Sequence, residues 1–272
     1  MSRNCKVTKA VIPAAGKGTR LLPLTRTVPK EMLPLGRKPV LHHIIDELTD
    51  AGIEQFLFIV SEDKACIPNY FGDSSQFSSV IQKSQLGLAD AVLHGEDFAG
   101  DDPICVALGD SVITSGESVH VTQRLLQAFS ETGAACVIGV EEVSEEDAPR
   151  YGIVRPKVAA SDVFEIDDLV EKPSRESLPS NLAIGGRYVL DPMIFDLIRK
   201  LKPGAGGELQ LTDAVKMTLE VGRPVWCVRL RPSERRRDIG TFASYFEAQI
   251  AEFCSDEELS SKMKDICRSV SA

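Results

Sequence analysis

Apolar runs of strand length alternate with stretches of helical spacing along most of this chain. Residues 9–12 form the first short apolar run. Residues 38–52 follow, with apolar side chains three and four positions apart and with Gly52 placed to end a helix. Residues 53–60 then return to a strand-like run. A strand, a helix and a second strand in this order predict the beginning of a parallel sheet that helices cover.

The alternation continues along the chain. Residues 101–113 predict a strand that ends at Asp110, and residues 135–143 predict another strand after a helix over residues 121–134. Residues 151–190 differ, since they carry short strand-like runs separated by Pro, Ser and Gly. We therefore expect an α/β, Rossmann-like fold of three αβα layers, with a mostly parallel mixed central sheet and a small additional β-sheet region.

The last third of the chain adds helices. Residues 191–204 and 208–222 predict two of them, and residues 224–231 return as a strand. Residues 241–253 begin a C-terminal helical segment, and the polar residues 255–272 are expected to be partly frayed.

Composition excludes several classes of protein. The chain has 272 residues, 43% of them apolar, and a formal net charge of -9, so no basic face for a nucleic acid backbone is expected. Its apolar runs are shorter than the roughly 20 residues of a membrane-spanning helix, and the N-terminal sequence lacks the pattern of a signal peptide. The seven cysteines include no CxxC pair, which disfavours a disulfide framework or a zinc site. We expect a cytoplasmic protein without a nucleic acid or membrane partner.

A glycine-rich turn follows the first strand, in the sequence AVIPAAGKGTR. Such a turn can direct several backbone N–H groups at an anion. The dinucleotide fingerprint GxGxxG and the P-loop pattern GxxxxGK[ST] both fail, because Leu21 occupies a position that each reserves for glycine. From the spacing alone, phosphate binding and an ordinary tight turn stay equally open.

Cationic side chains follow the turn in an arm rich in proline. Arg20, Arg26 and Lys30 lie between or beside prolines, which disfavour an α-helix there. Cationic groups on a stiff loop near exposed N–H groups suit a triphosphate. The alternative is a solvated loop with incidental charges.

Three further positions are candidates for chemistry. Asp110 ends a predicted central strand, at the sheet edge where ligands bind in open α/β folds, and could be either a Mg²⁺ ligand or a turn residue. Glu171 and Lys172 precede a proline, as charged pairs in exposed turns commonly do. Asp238 follows three arginines and could cap a helix instead of binding a ligand.

Together these segments resemble a known family. The stretches that carry the resemblance are KAVIPAAGKGTRLLPLTRTVPKEMLPLGRKPV, QKSQLGLADAVL, LGDSVI, YGIV, LVEKPS, PSNLAIGGRYVL, PGAGGELQLTDAV and RRDIGTF. The chain is similar over residues 9–253 to the sugar-1-phosphate nucleotidylyltransferases, and within them to the bacterial uridylyltransferases that use UTP and glucose 1-phosphate. The resemblance implies that the sugar phosphate attacks the α-phosphorus of a nucleoside triphosphate, pyrophosphate leaves, and no covalent enzyme intermediate forms.

The resemblance also implies roles for individual residues. It assigns Arg20 to the β- and γ-phosphates, Lys30 to the α-phosphate, and Lys172 to the attacking phosphate. Nucleotide contacts are implied for Ala14, Ala15, Gly16, Gly18, Gln82 and Gly87, the last two at the pyrimidine edge. Sugar-phosphate contacts are implied for Gly152, Glu171 and Lys172, and Mg²⁺ ligands for Asp110 and Asp238.

The same resemblance implies the domain organisation. Residues 1–240 would form a single catalytic domain with its sugar-binding β-rich part at about residues 151–190. Residues 241–272 would be a helical segment and not a separate domain, and the protein would be a homodimer or homotetramer.

The chain departs from the uridylyltransferases in places. Few residues separate Phe71 from Gln82, where that group carries a longer insertion, and Ala89-Asp90 stands where Gly-His is expected. LGDSVI and FGDSSQF lean toward the related thymidylyltransferases, which use dTTP, whereas GAGGELQ lacks the Arg that those enzymes carry before Gly-Glu-Leu. The alternatives are a dTTP-dependent enzyme and a catalytically silent regulatory homologue.

Overall fold

A computed structural model describes residues 6–72, 74–158 and 161–270. The strands are β1 (Lys9–Pro13), β2 (Pro34–Leu35), β3 (Lys38–Pro39), β4 (Gln55–Val60), β5 (Phe77–Ile81), β6 (Ile104–Ala107), β7 (Ser111–Ser115), β8 (Cys136–Glu142), β9 (Gly152–Pro156), β10 (Val163–Glu171), β11 (Leu182–Leu190), β12 (Val225–Arg229) and β13 (Glu234–Asp238). The helices are α1 (Val40–Asp50), α2 (Cys66–Phe71), α3 (Leu88–Leu93), α4 (Glu96–Ala99), α5 (Val121–Thr132), α6 (Met193–Ile198), α7 (Leu211–Glu220), α8 (Phe242–Ser255) and α9 (Ser260–Val270).

A mixed central sheet organises the fold. Its order is β5-β4-β1-β6-β11-β8-β12-β10-β9 in the described ranges, and only β10 and β11 run against the other strands there. Both faces are apolar: Ala10 and Ile12 pack toward α1 and α5, while Val11 packs toward α3, α6 and α7. This side-chain alternation along β1 places helices on both sides of the sheet. The predicted three-layer α/β fold is confirmed.

Residues 151–190 do not form the additional sheet that the sequence suggested. Their strands β9 and β10 extend one edge of the central sheet, and β11 lies in its middle between β6 and β8. Every residue of β11 is buried, which explains its continuous apolar run. The small additional sheets lie elsewhere, as the pairs β2–β3 and β7–β13.

The strand before Asp110 ends earlier than predicted. Strand β6 stops at Ala107, and β7 begins at Ser111 in a different sheet. Its partner β13 was not predicted, because three arginines hide its strand character. Register places Asp238 opposite Ser111, and the Ile239 N–H donates to the Asp110 carbonyl oxygen at 2.8 Å. The turn between β6 and β7 thereby brings Asp110 next to Asp238.

The C-terminal segment is more ordered than expected. Beyond α8, residues predicted to fray form α9. Helix α8 contacts β2, where the Tyr245 hydroxyl donates to the Pro34 carbonyl oxygen at 2.8 Å. Helix α6 ends at Ile198, short of the predicted end near Gly204. The division into domains stays a prediction.

Two expectations from composition can be compared with the structure. None of the helices in the described ranges is long and apolar enough to cross a membrane. Five cysteines are free thiols, namely Cys66, Cys105, Cys136, Cys227 and Cys254. Cys5 and the side chain of Cys267 lie outside the described part of the chain.

Candidate active site

A cavity of about 910 Å³ opens where β1, β5 and β6 end. Parallel strands that end together leave a crevice at their carboxyl edge, which is where ligands bind in such sheets. The predicted site residues that line it are Ala15, Gly16, Gly18, Arg20, Lys30, Gln82, Gly87 and Asp110. Ala14 is the exception among the predicted nucleotide contacts: it is buried and lines neither this cavity nor the next.

A second cavity of about 240 Å³ adjoins the first. It is lined by the predicted residues Gly152, Glu171, Lys172 and Asp238, and by Arg20 and Asp110, which the two cavities share. Residues that are far apart in the sequence are thereby gathered around one point, Asp110. We call the two spaces the larger cavity and the smaller cavity.

Hydrogen bonds fix the shape of the glycine turn and the arm. The Ala14 N–H donates to the Ile59 carbonyl oxygen at 2.8 Å, and the Thr25 hydroxyl donates to the Gly18 carbonyl oxygen at 2.8 Å. Gly18 has φ +63°, a left-handed conformation that favours glycine. The arm forms no α-helix, but it does form three single 3₁₀ turns, at Thr19–Leu21, Leu24–Arg26 and Lys30–Met32.

Opposite charges meet where the two cavities join. The Lys30 ammonium forms an ion pair with Asp110, and both side chains are largely buried. Burial lowers the pKa of Lys30, but the nearby carboxylates of Asp110, Glu31 and Asp238 together raise it more, so the net pKa is raised. Burial raises the pKa of Asp110, but the charge and hydrogen bond of Lys30, a backbone hydrogen bond and the Arg236 charge together lower it more, so the net pKa is lowered. Lys30 therefore stays cationic beside an ionised Asp110.

Asp238 is less well compensated. Burial raises its pKa, and the negative charge of Asp110 raises it further. Two neighbouring carboxylates with excess negative charge suit a hard divalent cation, which takes oxygen ligands. No cluster of three or more His, Cys, Asp or Glu residues suited to a metal occurs in residues 6–72, 74–158 and 161–270. A cation held by Asp110 and Asp238 would therefore take further oxygens from water or a ligand.

The segment after β5 docks on the loop before α7. Gly87 has φ +120°, and a Cβ atom there would lie 2.5 Å from the Leu209 carbonyl oxygen. The Ala89 N–H donates to that same oxygen at 3.0 Å, and the Leu209 N–H donates to the Leu86 carbonyl oxygen at 2.7 Å. This close backbone contact requires glycine at position 87. It joins the segments QKSQLGLADAVL and PGAGGELQLTDAV, which both resemble the family.

Asp90 orients the side chain of Gln82. In the sequence, Asp90 stood out only as a departure from the uridylyltransferase pattern. The side-chain Nε2 of Gln82 donates to Asp90 Oδ2 at 2.7 Å, and both residues are buried. An ionised carboxylate accepts hydrogen bonds but cannot donate them. The amide group of Gln82 therefore turns its nitrogen, and not its oxygen, toward Asp90. The amide oxygen is left for the larger cavity, which Gln82 lines.

The smaller cavity presents an acid and a base on adjacent residues. Glu171 Oε2 accepts a hydrogen bond from the Thr212 hydroxyl at 2.8 Å. Lys172 is a non-glycine residue with φ +44°, and its N–H donates to the Tyr151 carbonyl oxygen at 3.0 Å. Strained backbone of this kind is concentrated at functional sites. Lys172 Nζ lies 3.3 Å from Glu171 Oε1.

Gly152 lies beside Glu171 in the wall of the smaller cavity, because the two residues pair across β9 and β10. A Cβ atom at this position would lie 2.8 Å from Ile184 Cδ1 and 3.1 Å from Glu171 Oε2. Arg236 lies nearby, with its guanidinium 4.7 Å from the Tyr151 ring centroid. A side chain at position 152 would therefore displace the ends of the Ile184 and Glu171 side chains.

Several residues at the site escaped prediction. Thr212 and Asp90 lie inside two of the segments that resemble the family. Their position in those segments was the signal in the sequence that could have identified them. Lys64 gave no signal, since it lies in a polar turn far along the chain from its partners. It is buried beside Glu31, with which it forms an ion pair. Burial raises the pKa of Glu31, while Lys64 and Lys30 oppose that rise.

Arg187 supports the site from within the core. Its guanidinium is fully buried and donates to both carboxylate oxygens of Glu47, at 3.0 and 2.7 Å. It also donates to the Ser111 carbonyl oxygen at 2.8 Å. A bidentate buried pair is rigid, so it fixes the chain immediately after Asp110.

Known proteins share this arrangement of sequence and fold. Residues 9–253 match the nucleotidyl transferase family. A UTP–glucose-1-phosphate uridylyltransferase of Staphylococcus epidermidis is 35% identical over 284 aligned positions, covering 95% of this chain and 96% of that protein. A crystal structure of a UDP-glucose pyrophosphorylase complexed with UDP-glucose superposes with a TM-score of 0.86 at 34% identity, covering 92% of this chain and 100% of the other. A UTP-bound UGPase from Acinetobacter baumannii gives a TM-score of 0.87 at 29% identity, with 96% and 98% covered.

Proposed function

The chain belongs to the nucleotidyl transferase family, and we propose on that premise that it transfers a uridylyl group from UTP to glucose 1-phosphate, releasing pyrophosphate. The relatives named above support this substrate pair, since one acts on UTP and glucose 1-phosphate by name and one was crystallised with UDP-glucose. The likeness extends over nearly the whole length of both chains.

One observation carries the proposal: the two cavities meet at Arg20 and Asp110. The larger cavity suits a nucleoside triphosphate and the smaller one a sugar phosphate. A reaction between two bound substrates needs their reacting atoms in contact, and a shared wall provides that contact. Neither cavity alone would imply transfer between two ligands.

The residues around this junction supply charge neutralisation and positioning. In the proposed arrangement, Lys30 binds the α-phosphate and Arg20 binds the β- and γ-phosphates, which leave as pyrophosphate. Lys172 holds the attacking phosphate in line with the α-phosphorus. Phosphoryl and nucleotidyl transfers are accelerated chiefly by such preorganised positive charge, without a covalent intermediate.

The sugar is held by the walls of the smaller cavity. Glu171 accepts hydrogen bonds from sugar hydroxyls, and the Thr212 hydroxyl fixes the carboxylate through its bond to Oε2. The backbone at Gly152 approaches the sugar closely. Arg236, which is paired with Glu141, lines the same cavity and adds a cation near the proposed sugar phosphate.

We propose that Mg²⁺ is the cofactor. Asp110 and Asp238 would hold it, and the repulsion between these two carboxylates supports this assignment. The ion would neutralise charge on the phosphates when bound. Adding EDTA should abolish turnover, and Mg²⁺ should restore it; in parallel, equilibrium dialysis should show Mg²⁺ binding that Asp238→Ala weakens.

Gln82 supports a uracil or thymine base. Asp90 holds its amide nitrogen, so the amide oxygen faces the larger cavity as an acceptor. Uracil and thymine offer an N–H donor at N3, whereas cytosine offers an acceptor there, so cytosine would oppose the Gln82 oxygen. Since thymine presents the same edge, a dTTP-dependent thymidylyltransferase is the second candidate.

A nucleotide panel tests the proposal. The protein is incubated with glucose 1-phosphate and Mg²⁺ and with UTP, dTTP, CTP, ATP or GTP in turn, and pyrophosphate release is followed. We expect the highest kcat/KM with UTP. A clear preference for dTTP would replace the uridylyl assignment and leave the reaction class intact, and absence of turnover with all five would favour a silent regulatory homologue.

The remaining proposals concern the whole protein. We propose that residues 1–240 form the catalytic unit with residues 241–272 as a helical segment on it, that the protein is a homodimer or homotetramer, and that it acts in the cytoplasm. Gel filtration with light scattering tests the oligomeric state.

A further inference from the structure

The carbonyl oxygens of the glycine turn accept hydrogen bonds from side chains of other segments. Lys64 Nζ donates to the Ala14 carbonyl oxygen at 2.6 Å and to the Gly16 carbonyl oxygen at 2.7 Å. Gln85 Nε2 donates to the Ala15 carbonyl oxygen at 2.7 Å. Three successive carbonyls are thus satisfied by two side chains that lie about 50 and 70 residues further along the chain.

The N–H groups of the same peptides are free. Across a planar trans peptide the carbonyl oxygen and the following N–H point in opposite directions. The N–H groups of Ala15, Gly16 and Lys17 therefore point away from the side chains that bind the carbonyls. In the part of the chain that the structure describes, these three N–H groups have no hydrogen-bond acceptor. All three residues line the larger cavity.

Glu31 completes the arrangement. Its Oε2 accepts the third hydrogen bond of the Lys64 ammonium at 2.9 Å, and both side chains are buried, at 4% exposure for Lys64 and 1% for Glu31. An ammonium group has three donors, so all of them are used. A buried charge is tolerated only when it is paired and hydrogen-bonded, which Glu31 and the two carbonyls achieve together. Glu31 also directly follows Lys30, so the pair links the turn to the arm.

We propose that Lys64 and Gln85 are positioning residues for the nucleoside triphosphate, because they hold the carbonyls of residues 14–16 and leave the N–H groups of residues 15–17 to bind it. Such a row of N–H groups is an anion-binding concavity. Without Lys64, the buried Ala14 carbonyl and the part-buried Gly16 carbonyl would lose their donor, and the peptides could rotate to present oxygen to the phosphates. Glu31 balances the charge of Lys64 so that the support carries little net charge of its own. The inference rests on the proposed function, since it concerns the same nucleotide site.

The test compares three variants with wild type. Lys64→Met keeps the length of the side chain and removes its donors, and Gln85→Met does the same at an exposed position. Lys9→Met is the matched control, because Lys9 also donates to a backbone carbonyl, that of Ala99 at 3.0 Å, outside both cavities. KM values for UTP and glucose 1-phosphate, kcat, the Kd for UTP by calorimetry and the thermal unfolding midpoint are measured for each protein.

We expect Lys64→Met to raise KM and Kd for UTP by roughly ten- to a hundredfold, as loss of donors to buried carbonyls predicts. Gln85→Met should raise them by about three- to tenfold. In both, KM for glucose 1-phosphate should stay within about twofold, because the smaller cavity is untouched, and Lys9→Met should match wild type apart from its unfolding midpoint. A merely structural role would lower the unfolding midpoint without this selective loss of UTP affinity.

Each outcome decides the inference. Folded Lys64→Met and Gln85→Met proteins that bind UTP as wild type does would overturn it. If Lys64→Met fails to fold, Gln85→Met decides alone. A lowered UTP affinity then supports the inference, and an unchanged UTP affinity overturns it. Measurements on the wild-type protein show separately whether the proposed function fails. If wild type prefers dTTP, the affinities of the variants are measured for dTTP instead of UTP. A wild type that turns over no nucleotide and binds none by calorimetry ends both proposals.

Discussion

The two cavities offer their ligands different kinds of chemical group. The larger one presents backbone N–H groups at Ala15, Gly16 and Lys17, and the buried Lys64 and the exposed Gln85 hold the carbonyls of these peptides. The smaller one presents side chains directly, chiefly Glu171, and Lys172 with a side chain that is 52% exposed. Backbone donors are removed only by substitution with proline, whereas side-chain groups are removed by most substitutions.

This difference separates the residues that support binding from those that contact ligand. In the larger cavity, substitutions behind the glycine turn should weaken nucleotide binding without touching the ligand. In the smaller cavity, loss of a single contacting side chain should weaken sugar-phosphate binding directly. Lys30 and Asp110 lie where the cavities join, so substitutions there should affect the chemical step more than either binding step.

The largest effect is expected at this junction. Lys30→Met should lower kcat by about a thousandfold, because it removes the charge assigned to the α-phosphate and leaves the carboxylates of Asp110 and Asp238 without their buried cation. Arg26→Met is the matched control, since Arg26 is an exposed cation of the same arm. Steady-state kinetics of pyrophosphate release measure both. Equal losses in the two variants would show that the arm acts only through its overall charge.

A smaller and more selective effect is expected in the smaller cavity. Lys172→Met should raise KM for glucose 1-phosphate by about a hundredfold, since it removes the cation assigned to the attacking phosphate. The Kd for UTP should change by less than about threefold, because Lys172 lines only the smaller cavity.

Lys157→Met provides the control for this position. Lys157 is half-exposed and pairs with Glu165 at 2.5 Å, outside both cavities. Its loss should change neither KM by more than about twofold, as expected for a surface ion pair. Should Lys172→Met weaken UTP binding as much as sugar-phosphate binding, the two cavities would not be separate binding sites.

Much of the fold could be predicted because its signals are local. The alternation of strand and helix periods gave β1, α1, β4 and α5, and the motif at residues 10–35 gave the glycine turn and its cationic arm. The position of β11 could not be predicted. A continuous apolar run shows that a strand is buried on both faces, but not whether it runs parallel or antiparallel to its neighbours.

The parts of the site that escaped prediction depend on long-range contacts. Lys64 reaches partners 33 to 50 positions away, and nothing in the polar turn that carries it points to them. Strand β13 has three arginines in five residues, so its pairing with β7, and with it the approach of Asp238 to Asp110, follows only from the tertiary structure. The family resemblance supplied Asp238 where local patterns could not.

The smallest effect is expected on recognition of the nucleotide base, through Asp90, which orients Gln82. In Asp90→Asn the new amide can donate to Gln82 Oε1, so the Gln82 amide can turn and present its nitrogen to the larger cavity. Cytosine would then find a donor opposite its N3 acceptor. We expect the ratio of kcat/KM for UTP to that for CTP to fall by about tenfold, with KM for glucose 1-phosphate unchanged. Asp97→Asn, at an exposed position in α4, is the control and should keep the wild-type ratio. If Asp90→Asn lowered kcat/KM for both nucleotides equally, Asp90 would shape the larger cavity without selecting the base, and the support behind this cavity would serve the phosphates alone.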